Sequence, residues 1–215
     1  MTTVWFTSDL HIGHALVAEE RANRANIAVP LAPTGRSEHC IRWHDRTLAE
    51  NWDAVIQPHD QVWVLGDLSA GSSGAQRNAL KWIEERPGEK HLVSGNHDRV
   101  HPMYRDAHKW QAHYLGVFQS VQPFARRRVG GHTALLSHLP YRGDHTTEQR
   151  YNQYRLRDEG EWLLHGHTHS RFINEPKVHP RQLHVGVDAW HMAPVQIGRL
   201  ADLIAVVECA DAAHG

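Results

Sequence analysis

Five short apolar runs punctuate the chain: Val4-Trp5-Phe6-Thr7-Ser8, Val62-Trp63-Val64-Leu65-Gly66, His91-Leu92-Val93-Ser94-Gly95, Ala134-Leu135-Leu136-Ser137 and Trp162-Leu163-Leu164-His165-Gly166. They are apolar throughout rather than alternating, as in strands buried on both faces. Between the first three, the apolar positions change period. From about Ser37 to Ile56 they fall at Ile41, His44, Leu48, Trp52 and Val55, a spacing of three or four that predicts an amphipathic helix. Shorter helices are expected near Ala15–Ala25, Ala75–Glu85 and Gln196–Glu208, the second closed by Pro87-Gly88. Strands separated by helices predict a layered α/β/α arrangement.

The second half of the chain has a different pattern. Val121–Val129 and His132–Ser137 flank Gly130-Gly131, a two-residue turn of the kind that closes an antiparallel hairpin. The stretch at about residues 139–160 is polar, with Arg142, Arg150, Arg155 and Arg157 set against Asp144, Glu148, Asp158 and Glu159. It is the expected lid or mobile loop. No repeat or linker marks a second domain, so the 215 residues are expected to form a single domain, 1–215.

Composition narrows the picture. With 40% hydrophobic and 22% charged residues, the chain has enough apolar side chains for a core. Its 23 Lys and Arg against 24 Asp and Glu provide no basic excess, which argues against a dedicated duplex-binding protein. No apolar run approaches the ~18 residues of a membrane span. Met1 to Leu10 lacks a basic start and soon meets Asp9, so it does not read as a signal peptide. Cys40 and Cys209 are too few and too far apart for a disulfide framework. The expected compartment is the cytoplasm. The 20 His residues point to metal or proton chemistry.

The residues just past each apolar run give that chemistry a place. The strand exits offer Asp9 and His11, Asp67, Asn96, His138, and His167 and His169. In open α/β sheets, loops at the carboxyl ends of strands converge on one crevice. Seven oxygen or nitrogen donors without a thiolate suit hard or borderline divalent ions, and exceed what one ion usually needs. Two ions roughly 3.5–4 Å apart share a ligand, and a carboxylate can bridge where an imidazole normally cannot. Asp67, alone after its strand, is the expected bridge. Asp9 and His11, at i and i+2, can both turn towards the same ion, and His167 and His169 have that spacing too.

Asp9-Leu10-His11, Gly66-Asp67, Gly95-Asn96-His97-Asp98, Ser137-His138 and Gly166-His167-Thr168-His169 resemble, in order and spacing, the five motifs of the calcineurin-like metallophosphoesterases. The Thr7–His14 stretch, the Asn23-Arg24 pair and the ending Val185-Gly186-Val187-Asp188-Ala189-Trp190 look like a small single-domain branch found in bacteria and encoded by phages. The resemblance implies an α/β fold refined to a four-layer α/β/β/α sandwich, with mixed sheets and the site at strand C-terminal ends. It also implies that Asp9, His11, Asp67 and His169 hold one metal, and Asp67, Asn96, His138 and His167 the other. Mn is favoured, with Fe, Zn, Co or Ni as alternatives. His97 is left free of metal and suits a general acid, with Asp98 placed to orient its ring. Two departures stand out: Ser137 precedes His138 where a glycine is common, and His184 stands where this branch usually has an asparagine.

Other residues admit two readings each. His14 could line a phosphate pocket or cap a helix. Arg24 could pair with a substrate phosphate or serve the helix it sits on. Asp188 and Trp190 read as packing of the C-terminal strand, and Arg126-Arg127-Arg128 as a solvated strand edge. The expected activity is hydrolysis of small phosphodiesters, cyclic nucleotides or nucleotide-like esters, by a water activated between two ions. The alternatives are a phosphomonoesterase, a single-strand nuclease with the same centre, or a non-catalytic scaffold. The expected partner is a small phosphoester, with neither duplex nucleic acid nor membrane. The sequence leaves the oligomeric state open.

Overall fold

A computed structural model describes residues 2–28 and 35–214. The apolar runs become strands of two sheets. In the first, β1 (Val4–Thr7), β2 (Gln61–Val64), β3 (Glu89–Val93) and β4 (Ser120–Gln122) run parallel, and β9 (Val195–Gln196) closes the edge antiparallel to β1, in the order β4-β3-β2-β1-β9. In the second, β5 (Phe124–Val129) and β6 (His132–Ser137) form the expected hairpin, and β7 (Trp162–His165) and β8 (Gln182–His184) add parallel to β6, in the order β5-β6-β7-β8.

The two-faced burial of the strands is visible residue by residue. Val62, Val64 and Leu92 point to one side of the first sheet. There they meet Leu48 and Trp52 of α2 (Arg36–Val55), Ala79 and Ile83 of α3 (Ser73–Glu84), and Trp110 and Tyr114 of α4 (Ala107–Leu115). Phe6, Trp63, Leu65 and Val93 meet Leu136, Trp162, Leu164 and Leu183 of the second sheet, together with Leu200 and Ile204 of α5 (Ile197–His214). Two sheets therefore share an interior apolar layer, and α1 (Ala15–Arg24) packs beside α2. The mixed sheets and helices make an α/β fold in which two sheets face one another, which refines the three-layer reading.

Three boundaries differ from the sequence expectation. The run Val121–Val129 is not one strand: β4 belongs to the first sheet and β5 to the second. Pro123 lies between them. It has no N–H to donate to a ladder, and the chain changes sheets there. Helix α4 carries only Trp110 and Tyr114 as buried residues, too few to announce a period. The C-terminal helix begins after the two residues of β9 and runs on to His214. The arginine run behaves as alternation predicts. Arg126 and Arg128 are exposed, while the Arg127 guanidinium lies 5.5 Å from the Trp63 ring centroid.

Trp52 is 1% exposed and donates its indole N–H to the Pro87 carbonyl at 3.0 Å. Trp52→Ala is expected to lower the unfolding free energy by about 3–5 kcal/mol, measured as a shift of the urea midpoint at unchanged m-value.

Candidate metal centre

The carboxyl ends of β1, β2, β3, β6 and β7 deliver the seven donors to one place, and the backbone is bent to do it. Asp9, His11, Asp67, His167 and His169 have φ values of 59°, 49°, 56°, 70° and 51°. Side-chain-bearing residues avoid this left-handed region at about 1–3 kcal/mol each. Neighbouring loops hold the bends through backbone bonds: Asp9 N–H to the Gly66 carbonyl at 3.1 Å, His11 N–H to Asp67 at 3.0 Å and Ile12 N–H to Leu68 at 2.8 Å. Gly66 has φ 86°, and a methyl group there would run into the Gly95 backbone and the His138 ring. Only glycine lets these loops approach so closely.

The imidazoles are oriented from behind. His11 Nδ1 lies 3.3 Å from the Ser69 carbonyl, and His138 Nδ1 lies 2.7 Å from the Leu65 carbonyl. His169 Nδ1 lies 3.1 Å from Asp188 Oδ2, whereas His167 Nε2 comes within 3.1 Å of Asp144 Oδ2 as an ion pair without hydrogen-bond alignment. For His11, His138 and His169 the acceptor at the outer nitrogen sets the tautomer and turns the other nitrogen's lone pair inward. The inner nitrogens then fall into two groups. His11 Nε2 and His169 Nε2 are 3.1 Å apart, beside Asp9. His138 Nε2 and His167 Nδ1 are 3.1 and 2.9 Å from Asn96 Oδ1.

Asp67 stands between the groups. Its Oδ2 is 3.7 Å from His11 Nε2 and 3.4 Å from His138 Nε2, while Oδ1 accepts the His97 N–H at 2.8 Å. Asp9 and Asp67 are 0% and 2% exposed. Burial opposes their ionisation, yet the surrounding imidazoles hold both carboxyls well below the usual carboxylate range. Burial would likewise lower His138, but the Asp67 charge outweighs it and takes this imidazole up to about 9. The pocket calls for positive charge. Two carboxylates, one amide oxygen and four imidazoles, with no thiolate, match a pair of hard or borderline divalent ions.

The other expected residues surround this cluster. His97 lies at the mouth, its side chain 38% exposed and its Nε2 4.0 Å from Asp67 Oδ2. His14 starts α1 and stands edge-on to the His11 ring at 5.4 Å, half-buried. Arg24 gives one guanidinium nitrogen to Asp188 Oδ1 at 3.0 Å and pairs also with Glu20. Asp98 corrects an expectation, because its carboxylate does not face the His97 ring. Oδ2 accepts the N–H groups of Asp67 at 3.0 Å and Gly95 at 2.7 Å, and Oδ1 accepts that of Leu68 at 3.0 Å. Four acceptor sites on a buried carboxylate satisfy backbone donors that no strand can reach, so Asp98 clamps the loop after β2 to the loop after β3.

Several residues stand at the site beyond those the sequence assigned to it. Arg21 is buried, donates to Asp188 at 2.6 and 3.1 Å, and holds the Asp9 carbonyl at 2.9 Å. Asp188 thus belongs to the centre as the partner of His169, beyond the packing role expected of it. His184 Nε2 lies 3.6 Å from Asp9 Oδ2, so the residue that replaces asparagine stands behind the first carboxylate. Asp144 and His145 come from the polar stretch 139–160. Beside the centre opens a cavity of about 650 Å³ lined by Arg142, His145, His165, His169 and Phe172 among others. Asp98→Ala is expected to strip three buried N–H groups of their acceptor, at about 1–3 kcal/mol for each. Hydrogen exchange should show lost protection at Asp67, Leu68 and Gly95 with the β5–β6 hairpin amides unchanged.

Comparison with known proteins agrees with this geometry. The family model described as the calcineurin-like phosphoesterase superfamily domain matches residues 39–194. It covers the second to fifth motifs and leaves Asp9 and His11 outside. The chain is 54% identical over 196 residues to the Gene 66 protein of Mycobacterium phage D29, covering 89% of this chain and 90% of that one. It is 51% identical over 197 residues to the Gene 66 protein of Mycobacterium phage L5, covering 88% of each. The crystal structure of the protein of unknown function AQ665 from Aquifex aeolicus shares the fold with a TM-score of 0.61 at 21% identity, over 94% of this chain and 100% of that one.

Proposed function

We propose, starting from the fact that the chain belongs to the calcineurin-like phosphoesterase superfamily, that it hydrolyses small phosphodiesters, with cyclic nucleotides or nucleotide-like esters as the leading substrate class. The observation that carries this reading is the position of Asp67 Oδ2 between two groups of inward-facing imidazole nitrogens. Asp9, His11 and His169 with Asp67 would hold one divalent ion, and Asn96, His138 and His167 with Asp67 would hold the second. Mn is the favoured metal, with Fe, Zn, Co or Ni as alternatives. When bound, such a pair makes a water nucleophilic at neutral pH and draws charge from the phosphate oxygens.

The protein's own groups supply the rest. His97 is the motif imidazole that the ligand set leaves free at the mouth, and its ring donates a proton from Nε2 to the departing ester oxygen. His14 stands on the same open side and can bind a phosphate oxygen. Arg24 neutralises Asp188 first, so its contact with substrate is through whatever donor capacity that pair leaves. The cavity of about 650 Å³ beside His169 has room for the ester group of a nucleotide-sized substrate. The net charge of -1 favours a small substrate over duplex nucleic acid. Among the described residues no helix is long and apolar enough to cross a membrane, and the free Cys40 and Cys209 suit a reducing cytoplasm.

Two measurements test the reading. With Mn supplied, bis-p-nitrophenyl phosphate should be turned over faster than p-nitrophenyl phosphate, and chelation should abolish both activities. A strong preference for the monoester would make the chain a phosphomonoesterase instead. His97→Ala should retain its metal by elemental analysis while kcat falls about 10²–10⁴-fold, and full turnover at full occupancy would remove His97 from proton transfer.

A further inference from the structure

The outer nitrogens of the four inward-facing imidazoles are held in two different ways. His11 and His138 rest on backbone carbonyls. His169 and His167 face carboxylates, and each carboxylate is itself gripped by two arginines. Asp188 pairs with Arg21 and Arg24. Asp144 pairs with Arg150 at 2.8 Å and Arg155 at 3.1 Å. One such Arg–Arg–Asp–His relay therefore stands behind each of the two donor groups.

Asp144 is built in firmly. Its side chain is 1% exposed. Oδ2 also accepts the Arg150 N–H at 3.0 Å, and Oδ1 accepts the His145 N–H at 2.9 Å. Arg155, 4% exposed at its side chain, ties the same loop down by donating to the Pro140 and Gly143 carbonyls at 2.8 and 3.0 Å. Asp144 Oδ2 comes within 3.1 Å of His167 Nε2 as an ion pair without hydrogen-bond alignment, and His167 Nδ1 faces Asn96 Oδ1 at 2.9 Å. A carboxylate behind a ligating imidazole fixes the ring and raises the basicity of the inner nitrogen, more than a carbonyl does.

We infer that Asp144 is the positioning residue that sets His167 for the second metal, and that residues 139–160 are strapped to the centre through this contact rather than serving as a free lid. The inference rests on the binuclear reading of the site. In that stretch the arginines and carboxylates looked interchangeable in sequence, but the fold gives Asp144 a role that Glu148, Asp158 and Glu159 do not share. Asp158 instead faces His179 at 2.8 Å, and Glu159 pairs with Arg157.

The test is a calorimetric Mn²⁺ titration of the metal-stripped full chain. Asp144→Asn should weaken the second Mn²⁺ equivalent about 10–100-fold and leave the first unchanged. In a His167→Ala background the same substitution should change nothing further, because its effect passes through that ring. Wild-type chain binding two equivalents, with Asp144→Asn binding the same two as tightly, would overturn the role of Asp144 alone. So would an additional loss in the His167→Ala background. A wild-type chain that takes up no second equivalent would overturn the binuclear reading instead, and this inference with it. Independently of any variant's folding, long-range ¹H–¹⁵N spectra of the wild type loaded with diamagnetic Zn²⁺ should show His167 protonated at Nε2, the nitrogen beside Asp144; protonation at Nδ1 would sink the inference.

Discussion

Two ionised carboxylates, Asp9 and Asp67, are buried at 0% and 2% exposure, and among the described residues their ion-pair partners are imidazoles rather than lysines or arginines. Burying such charge unpaired costs several kcal/mol per ion even after relaxation. The rest of the site is arranged around that demand. Four imidazoles turn one nitrogen towards it, Asn96 adds an uncharged oxygen, and His138 is driven towards its charged form by Asp67. Divalent metal ions answer the same demand more completely, and the chain belongs to the calcineurin-like phosphoesterase superfamily.

The fold supports this by concentrating strain where donors must converge and rigidity where they are held. Five of the seven donor residues sit in left-handed backbone, a conformation that persists only when its surroundings over-determine it. Those surroundings are the buried parallel strands, whose ends cannot shift without disturbing both apolar layers. Asp98 links two of the loops through backbone N–H groups, and Arg21 links the first loop to the turn that carries Asp188. The geometry of the donor cluster is a property of loops pinned by polar groups to a rigid pair of sheets, so the fold itself holds the donors together.

The outer arrangement shows how remote segments share the work. Asp188 is hydrogen-bonded to His169 and Asp144 in the polar stretch forms an ion pair with His167, each carboxylate gripped by two arginines. Arg24 illustrates the consequence. A cation that looks free for substrate in the sequence is engaged in holding a carboxylate that holds an imidazole. His184, from the second sheet, stands 3.6 Å from Asp9 Oδ2.

Local chemistry was legible in the sequence because it depends on short-range spacing. Apolar runs of strand length, the period of α2, the Gly130-Gly131 turn, and a donor immediately after each of five runs all lie within a few residues of one another. The strand–loop geometry that turns such donors inward is common to open sheets. What the tertiary structure alone decided involves partners far apart in the chain. Examples are the sheet change at Pro123, the engagement of Asp98 by the backbone of Asp67 and Leu68, and the choice of Asp144 over its acidic neighbours. No periodicity links residues separated by tens of positions, and only the packing of two sheets against one another fixes which nitrogen of each imidazole faces the pocket.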